Sequence, residues 1–297
     1  MAGLILFGAG ASFGSDTSGV PPLGVRLFEE LRRFNPDGWG KIDDGLADAF
    51  RRDFEDALRR LNPSAVAPLQ RAMAAYFFTF QPRSSNLYVA LADRVAARRW
   101  AGAACTINYE RLLELSLLNR GIQPVVGQPT DPGKTLELCL PHGCCHIFCD
   151  SARGAAGAVT FDAFAVKTDG PVSVINDPAQ HRQRILTDAF PPVMSYFEPQ
   201  KRTTAGHSFI EGQRTRWKGL VAAADRVAVV GVKVRRHDDH IWGSLAAAPG
   251  TIIYCSGPAA SPEFIQWAAD VGRGSRDLPL KGRFGDEFDN ICSEVGL

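Results

Sequence analysis

The sequence predicts an α/β fold built on a doubly wound, Rossmann-like parallel sheet. Three observations predict it: short apolar runs of strand length recur along the chain, helical patterns separate them, and a glycine-rich turn follows the first run. Of the 297 residues, 45% are hydrophobic and 22% are charged, as in an ordinary globular protein. We therefore expect a single folded domain over residues 1–297.

Five apolar runs are predicted to be the strands of this sheet. Their residues are 4–7, 103–107, 135–140, 226–230 and 251–254. Apolar residues at helical spacing occupy 23–34, 42–61, 66–80, 86–95 and 112–117. The long helical stretch at about 40–97 is therefore predicted to be a helical subdomain inserted between the first two strands. Residues 146–215 are weakly patterned and rich in Gly, Pro and Ala, so we expect a loop-rich segment with short helices there.

Charge and cysteine distribution exclude several classes of protein. The formal net charge of +1 provides no bulk attraction to nucleic acid or to an acidic membrane. No stretch approaches the roughly 20 apolar residues of a membrane span, and no basic segment precedes the apolar N-terminal run as in a signal peptide. Seven cysteines, four of them between Cys139 and Cys149, do not form a disulfide framework. We expect a soluble cytoplasmic protein that does not bind nucleic acid directly.

The glycine-rich turn at residues 8–14 reads Gly-Ala-Gly-Ala-Ser-Phe-Gly. A turn between a strand and a helix can place backbone N–H groups against phosphate oxygens, and Ser12 either caps the helix or donates to a phosphate. Packing alone is the alternative reason for the glycines. The glycine spacing is one residue longer than the dehydrogenase fingerprint, and no acidic residue ends a second strand at the required interval. This disfavours hydride transfer.

Two polar elements lie at the C-terminal ends of predicted strands. Residues 106–110 read Thr-Ile-Asn-Tyr-Glu, and residues 141–143 read Pro-His-Gly. Ligand sites of open α/β sheets lie at the carboxyl ends of the strands. Asn108 can hold a ribose or position a water, or else it caps the next helix. His142 is a candidate general base, although a lone histidine is more often structural.

These elements, together with a later Val-Val-Gly-Val strand at 229–232, resemble the sirtuin family in the same chain order. The resemblance covers most of the chain and is strongest to bacterial sirtuin-like proteins that hydrolyse NAD in anti-phage defence. It implies a single NAD-binding domain and an NAD glycohydrolase that releases nicotinamide and ADP-ribose. NAD is then the substrate, and the enzyme is the toxic effector of a defence system.

The resemblance also implies which residues form the site. Asn108 and His142 match the residues on which NAD cleavage depends. Those matched to cofactor binding are Gly8, Ala9, Gly10, Ala11, Ser12, Thr106, Gly231, Asp239, Ser256 and Gly257. Residues 8–12 would hold the NAD phosphates, and Gly231 with Ser256 and Gly257 would lie near the adenosine half.

The chain departs from deacetylating sirtuins in three places. Glu110 stands where an aspartate is usual, and the Pro-Asp-Phe-Arg element is replaced by Val-Pro-Pro-Leu at 20–23. The paired CxxC motifs of the structural zinc ribbon are missing, so we expect no zinc ribbon and no metal. A site formed by Cys144, His146 and Cys149 is an alternative to reduced thiols in a strand.

A toxic NADase must be silent until it is triggered, which implies a homo-oligomer or a partner. By resemblance the partner would be a nucleic-acid-translocating ATPase (HerA-like) or an Argonaute-like sensor. Two other functions stay open: NAD-dependent protein deacylation, and a non-catalytic module that binds NAD or ADP-ribose. The charged residues at 233–240 follow a strand end; a solvated loop is the favoured interpretation, and contact with phosphate or a partner is the alternative. The arginine pairs at 51–52 and 59–60 are interpreted as solvated.

Overall fold

The computed structural model describes residues 3–16, 21–125, 130–153, 159–162, 165–195 and 205–297. The strands are β1 (Gly3–Phe7), β2 (Ala103–Thr106), β3 (Gln123–Val125), β4 (Thr135–Cys139), β5 (Ile147–Cys149), β6 (Val159–Asp162), β7 (Ala165–Thr168), β8 (Val172–Val174), β9 (Arg226–Val230), β10 (Thr251–Cys255) and β11 (Leu278–Pro279). The helices are α1 (Ala9–Phe13), α2 (Gly24–Phe34), α3 (Asp44–Arg52), α4 (Phe54–Leu58), α5 (Pro63–Phe78), α6 (Leu87–Arg98), α7 (Leu112–Asn119), α8 (Pro178–Thr187), α9 (His207–Ala223), α10 (Asp239–Ala246), α11 (Ser261–Asp270) and α12 (Phe288–Glu294).

The main sheet has seven strands in the order β11-β10-β9-β1-β2-β4-β3, and every pairing is parallel. Leu6 of β1 is level with Cys105 of β2 on one side and with Val229 of β9 on the other. The chain therefore builds the sheet outwards from β1 in both directions. The predicted doubly wound α/β fold is confirmed, and β1 lies at the point where the strand order reverses.

Helices cover both faces of this sheet. Residues of α6, α7 and α12, such as Leu91 and Ile291, pack with β1 and β2 in one buried cluster. Trp217, Trp242 and Trp267 of α9, α10 and α11 pack on the other face. A third cluster joins α2, α3, α4 and α5. Because both faces are covered, the central strands consist of continuous apolar runs rather than alternating ones.

The five predicted strands are all present, each within one or two residues of its expected bounds. The sequence did not predict β3 and β11, which are two short strands at the edges of the sheet. Each contains a proline, which an edge strand tolerates because it needs fewer ladder hydrogen bonds.

The predicted helix over 42–61 is two helices, and Asp53 separates them. Its backbone is extended (φ −150°, ψ 107°), and its carboxylate accepts the N–H groups of Glu55 and Asp56 at the start of α4. The apolar spacing continues through the break, so periodicity alone did not reveal it. Part of the segment at 146–215 lies outside the described residues. The described part contains β5 to β8, which form two antiparallel pairs, together with α8 and the first half of α9. None of the described helices has the length and apolar character needed to cross a membrane.

Candidate functional site

A cavity of about 350 Å³ lies at the carboxyl edge of the main sheet, beside the point where the strand order reverses. Its polar lining includes Ser12 after β1 together with Asn108 and Glu110 after β2. Apolar side chains from the helices α2 to α5, among them Leu27 and Phe77, form another part of its lining. The size and mixed lining are typical of a small-molecule site.

The glycine-rich turn packs tightly on the loop after β9. A Cβ atom on Gly8 would lie 2.6 Å from the carbonyl oxygen of Gly231, and one on Gly10 would lie 3.0 Å from the same oxygen. The N–H groups of Gly8 and Gly10 donate to the carbonyls of Val230 and Gly231, each at 2.9 Å. Close packing therefore accounts for both glycines, and these two N–H groups are already engaged inside the protein.

Ser12 is the hub of a buried polar cluster. It lies inside the short helix α1 rather than at its cap. Its hydroxyl donates to Glu110 Oε1 at 2.5 Å and accepts a hydrogen bond from Asn108 Nδ2 at 2.8 Å. The hydroxyl of Tyr88 lies 2.9 Å away and supplies the remaining bond as donor, since the single Ser12 proton is used. The cluster fixes the orientation of Asn108 at the cavity wall.

Glu110, not Asn108, supports the start of the next helix. The N–H of Leu112, the first residue of α7, donates to Glu110 Oε2 at 2.5 Å. The alternative in which Asn108 caps that helix is therefore wrong. Burial raises the pKa of Glu110 above its usual value, while the hydrogen bonds from Ser12, Leu112 and Asn108 oppose this shift.

His142 follows β4, next to β2 in the sheet, so it lies at the same carboxyl edge as Asn108. It is 3% exposed, and its Nε2 lies 2.7 Å from Nε2 of His240 at the start of α10. One of these nitrogens must donate and the other accept, so the contact fixes which tautomers the pair can adopt. His142 does not line the described cavity.

The other residues that the resemblance matched to cofactor binding lie at the same edge of the sheet. Of these, Ala9 lines the cavity and the rest do not. The hydroxyl of Thr106 accepts the N–H of Asn108 at 3.1 Å, and Ser256 Oγ donates to the carbonyl of Val232 at 3.0 Å. The remaining matched positions that do not line the cavity are Gly8, Gly10, Ala11, Gly231, Asp239 and Gly257. The structure thus brings Ala9, Ser12 and Asn108 to one cavity and leaves the others around it.

Three buried groups lie together just after His142. The ligand atoms of Cys144, Cys145 and His146 are all within 4.8 Å of one another. Burial and nearby Arg111 lower the pKa of His146 to about 3, which keeps its imidazole neutral. Cys149 Sγ instead lies 2.9 Å from the hydroxyl of Ser151. The spacing is close enough for an ion, so the absence of a metal stays a prediction.

Four basic residues that the sequence analysis interpreted as solvated line the cavity. They are Arg51, Arg52, Lys233 and Arg235. The local signal for Lys233 and Arg235 is that they follow a strand at the carboxyl edge. Nothing in the local sequence marks Arg51 and Arg52 as lining a cavity.

The fold and cavity define a doubly wound α/β protein with a ligand-type pocket at its carboxyl edge. No family model matches the chain, and no curated protein matches it. A similar solved structure is a crystal structure of Sir2 in complex with the inhibitor EX-527, 2'-O-acetyl-ADP-ribose and deacetylated p53 peptide. Its TM-score is 0.46 and its identity 14%, covering 99% of this chain and 94% of that one. At this distance the role of each residue must be argued from the geometry of this chain.

Proposed function

We propose that this protein is an NAD glycohydrolase that cleaves the bond between nicotinamide and ribose. The observation that carries the proposal is the cavity at the reversal point of the sheet, into which the Ser12 cluster presents Asn108. Nucleotides bind at this position in open α/β sheets. The chain order of the motifs, which resembles the sirtuin family, supports NAD as the nucleotide.

Cleavage creates a ribose with oxocarbenium character, so the site must orient the sugar and favour positive charge. Asn108 is held through Nδ2 by Ser12, and its amide oxygen is the group that would accept a hydrogen bond from a ribose hydroxyl or the attacking water. Glu110 lines the same cavity, and its carboxylate, when ionised, favours the developing charge.

His142 would act on the ribose or the water from the neighbouring strand end. Its Nε2 contacts His240, so a proton can be shared between the two rings. A dinucleotide that fills the cavity and continues along the carboxyl edge towards β4 would reach this pair. Residues 8–12 and the turns after β9 and β10 would enclose the rest of the ligand.

The proposed role is that of a toxic effector in anti-phage defence, kept silent as a homo-oligomer or by a partner. The partner would be a HerA-like translocase or an Argonaute-like sensor. The support for this role is the resemblance of the motifs alone.

The test is nicotinamide release from NAD by the purified protein, followed by chromatography. It is run alone, with the products of neighbouring genes, and with an acyl-lysine peptide. Release without the peptide is the expected result. Release only with the peptide would identify a deacylase instead, and tight ADP-ribose binding without turnover under every condition would identify a binding module.

A further inference from the structure

The glycine-rich turn offers little to neutralise the charge of a pyrophosphate. The N–H groups of Gly8, Gly10 and Ala11 all donate to protein carbonyls at 2.9 Å. The helix α1 within this turn has only five residues, so its dipole is small. A nucleotide diphosphate in the cavity would need positive charge from another part of the lining.

Two of the four basic residues of the lining are already neutralised by carboxylates. Arg51 contacts Glu29 and Asp48, each at 2.9 Å. Arg235 contacts Glu55 at 3.1 Å, and this ion pair joins α4 to the segment after β9.

Arg52 and Lys233 differ from those two. Both are exposed side chains that line the cavity, and among the described residues neither forms an ion pair. The acidic residue that follows Arg52 in the chain, Asp53, has its carboxylate bound to two N–H groups at the start of α4. The positive charges of Arg52 and Lys233 are therefore available to a ligand in the cavity.

Arg52 ends α3, whereas Lys233 follows β9, so the two charges come from separate segments. The Arg235–Glu55 ion pair joins α4, the helix directly after Arg52, to the segment that carries Lys233. This arrangement sets the two basic side chains on segments whose relative position is already fixed.

We propose that Arg52 and Lys233 form an anion clamp for the phosphates of a nucleoside diphosphate in this cavity. The clamp deepens the proposed function and rests on it, because it identifies which residues recognise the charged part of NAD and of ADP-ribose. Arg52 suits a bidentate contact to phosphate oxygens, and Lys233 supplies a compact charge.

The test measures binding of ADP-ribose and of adenosine, a phosphate-free probe, by calorimetry. The variants are Arg52→Gln and Lys233→Gln. The matched controls are Arg59→Gln and Lys218→Gln, which replace exposed basic residues that do not line the cavity. No turnover is needed, so the readout is independent of activity.

Each clamp variant should weaken ADP-ribose binding about tenfold, the typical contribution of a hydrogen bond to a charged group. Adenosine binding and both controls should be unchanged, and added salt should weaken ADP-ribose binding to the wild type. Equal ADP-ribose affinity in the clamp variants and the wild type would overturn the clamp and leave the proposed function intact. An equal loss for adenosine would also overturn it. If the wild type binds no ADP-ribose, the proposed function is overturned, and the clamp, which rests on it, is overturned with it.

Discussion

At the residue scale, Ser12 connects two distant parts of the chain, Tyr88 of α6 and the nearby pair Asn108 and Glu110 after β2. Its hydroxyl is bonded to Glu110, Asn108 and Tyr88, and all of them are buried. A buried hydroxyl with every hydrogen-bonding position used holds its partners in single orientations. The sequence indicated Asn108 and Ser12 separately, because each follows a strand, but it did not indicate that they bond to each other.

Asn108→Ala should lower nicotinamide release at least about a hundredfold, because loss of a preorganised polar group at the reacting centre typically has that effect. The fold should survive, since Ser12 keeps its bonds to Glu110 and Tyr88. Chromatographic rates and a thermal melt check this. Asn290→Ala, an exposed change on α12, is the control. Turnover at the wild-type rate in Asn108→Ala would exclude the role assigned to Asn108.

Glu114 makes the stability of the protein depend on pH. Burial, and secondarily the nearby carboxylate of Glu110, raises its pKa from 4.5 to about 8. Between these values the folded chain keeps a proton that the unfolded chain releases. The stabilisation that this proton gives to the folded chain is therefore fully present below the unfolded pKa of 4.5. It is lost as the pH rises towards the folded pKa of about 8.

Glu114→Gln should reduce this loss. The free energy of unfolding, measured with urea at about pH 5 and about pH 8, should fall less in the variant than in the wild type. Glu263→Gln, which replaces an exposed residue of α11, should keep the wild-type difference. An identical difference in Glu114→Gln would show that Glu114 does not titrate in this range.

At the scale of elements, the contact between the glycine-rich turn and the loop after β9 determines the geometry of the carboxyl edge of the main sheet. Gly231 has a φ of 66°, and a Cβ atom there would lie 1.9 Å from the backbone nitrogen of Ala11. Neither the loop conformation nor the neighbouring backbone allows a side chain. This contact therefore positions Ser12 relative to the sheet.

Gly231→Ala should lower the free energy of unfolding by about 3 kcal/mol or more, because it combines a left-handed conformation with a backbone clash. Gly212→Ala is the matched control. Gly212 lies inside α9 with open space around it, so alanine should raise the free energy of unfolding by about 0.5–1 kcal/mol. Denaturant melts measure both changes. Equal stability of the two variants would contradict the packing described here.

The elements that the sequence predicted correctly are those with a strong local signal. β9 and β10 are continuous apolar runs, and Asn86 begins α6 as its cap. The break at Asp53 was missed because a cap inside a periodic pattern does not disturb the pattern. The edge strand β3 was missed because it is short and half exposed.

At the scale of the whole molecule, the candidate site is formed by segments distant in the chain. Asn108 and His142 were predicted to share an edge because parallel strands end on the same side. The contact between His142 and His240, which are 98 residues apart, had no local signal. Arg52 and Lys233 were interpreted as solvated because a polar helix face and a polar loop look the same whether or not they border a cavity.

A crystal structure of the protein with ADP-ribose bound tests the central claim most directly. The proposed function predicts a hydroxyl of the distal ribose (the one that carried nicotinamide) within about 3 Å of Asn108, and the clamp predicts phosphate oxygens beside Arg52 and Lys233. ADP-ribose bound elsewhere on the molecule, with the cavity beside Ser12 empty, would contradict the proposed site.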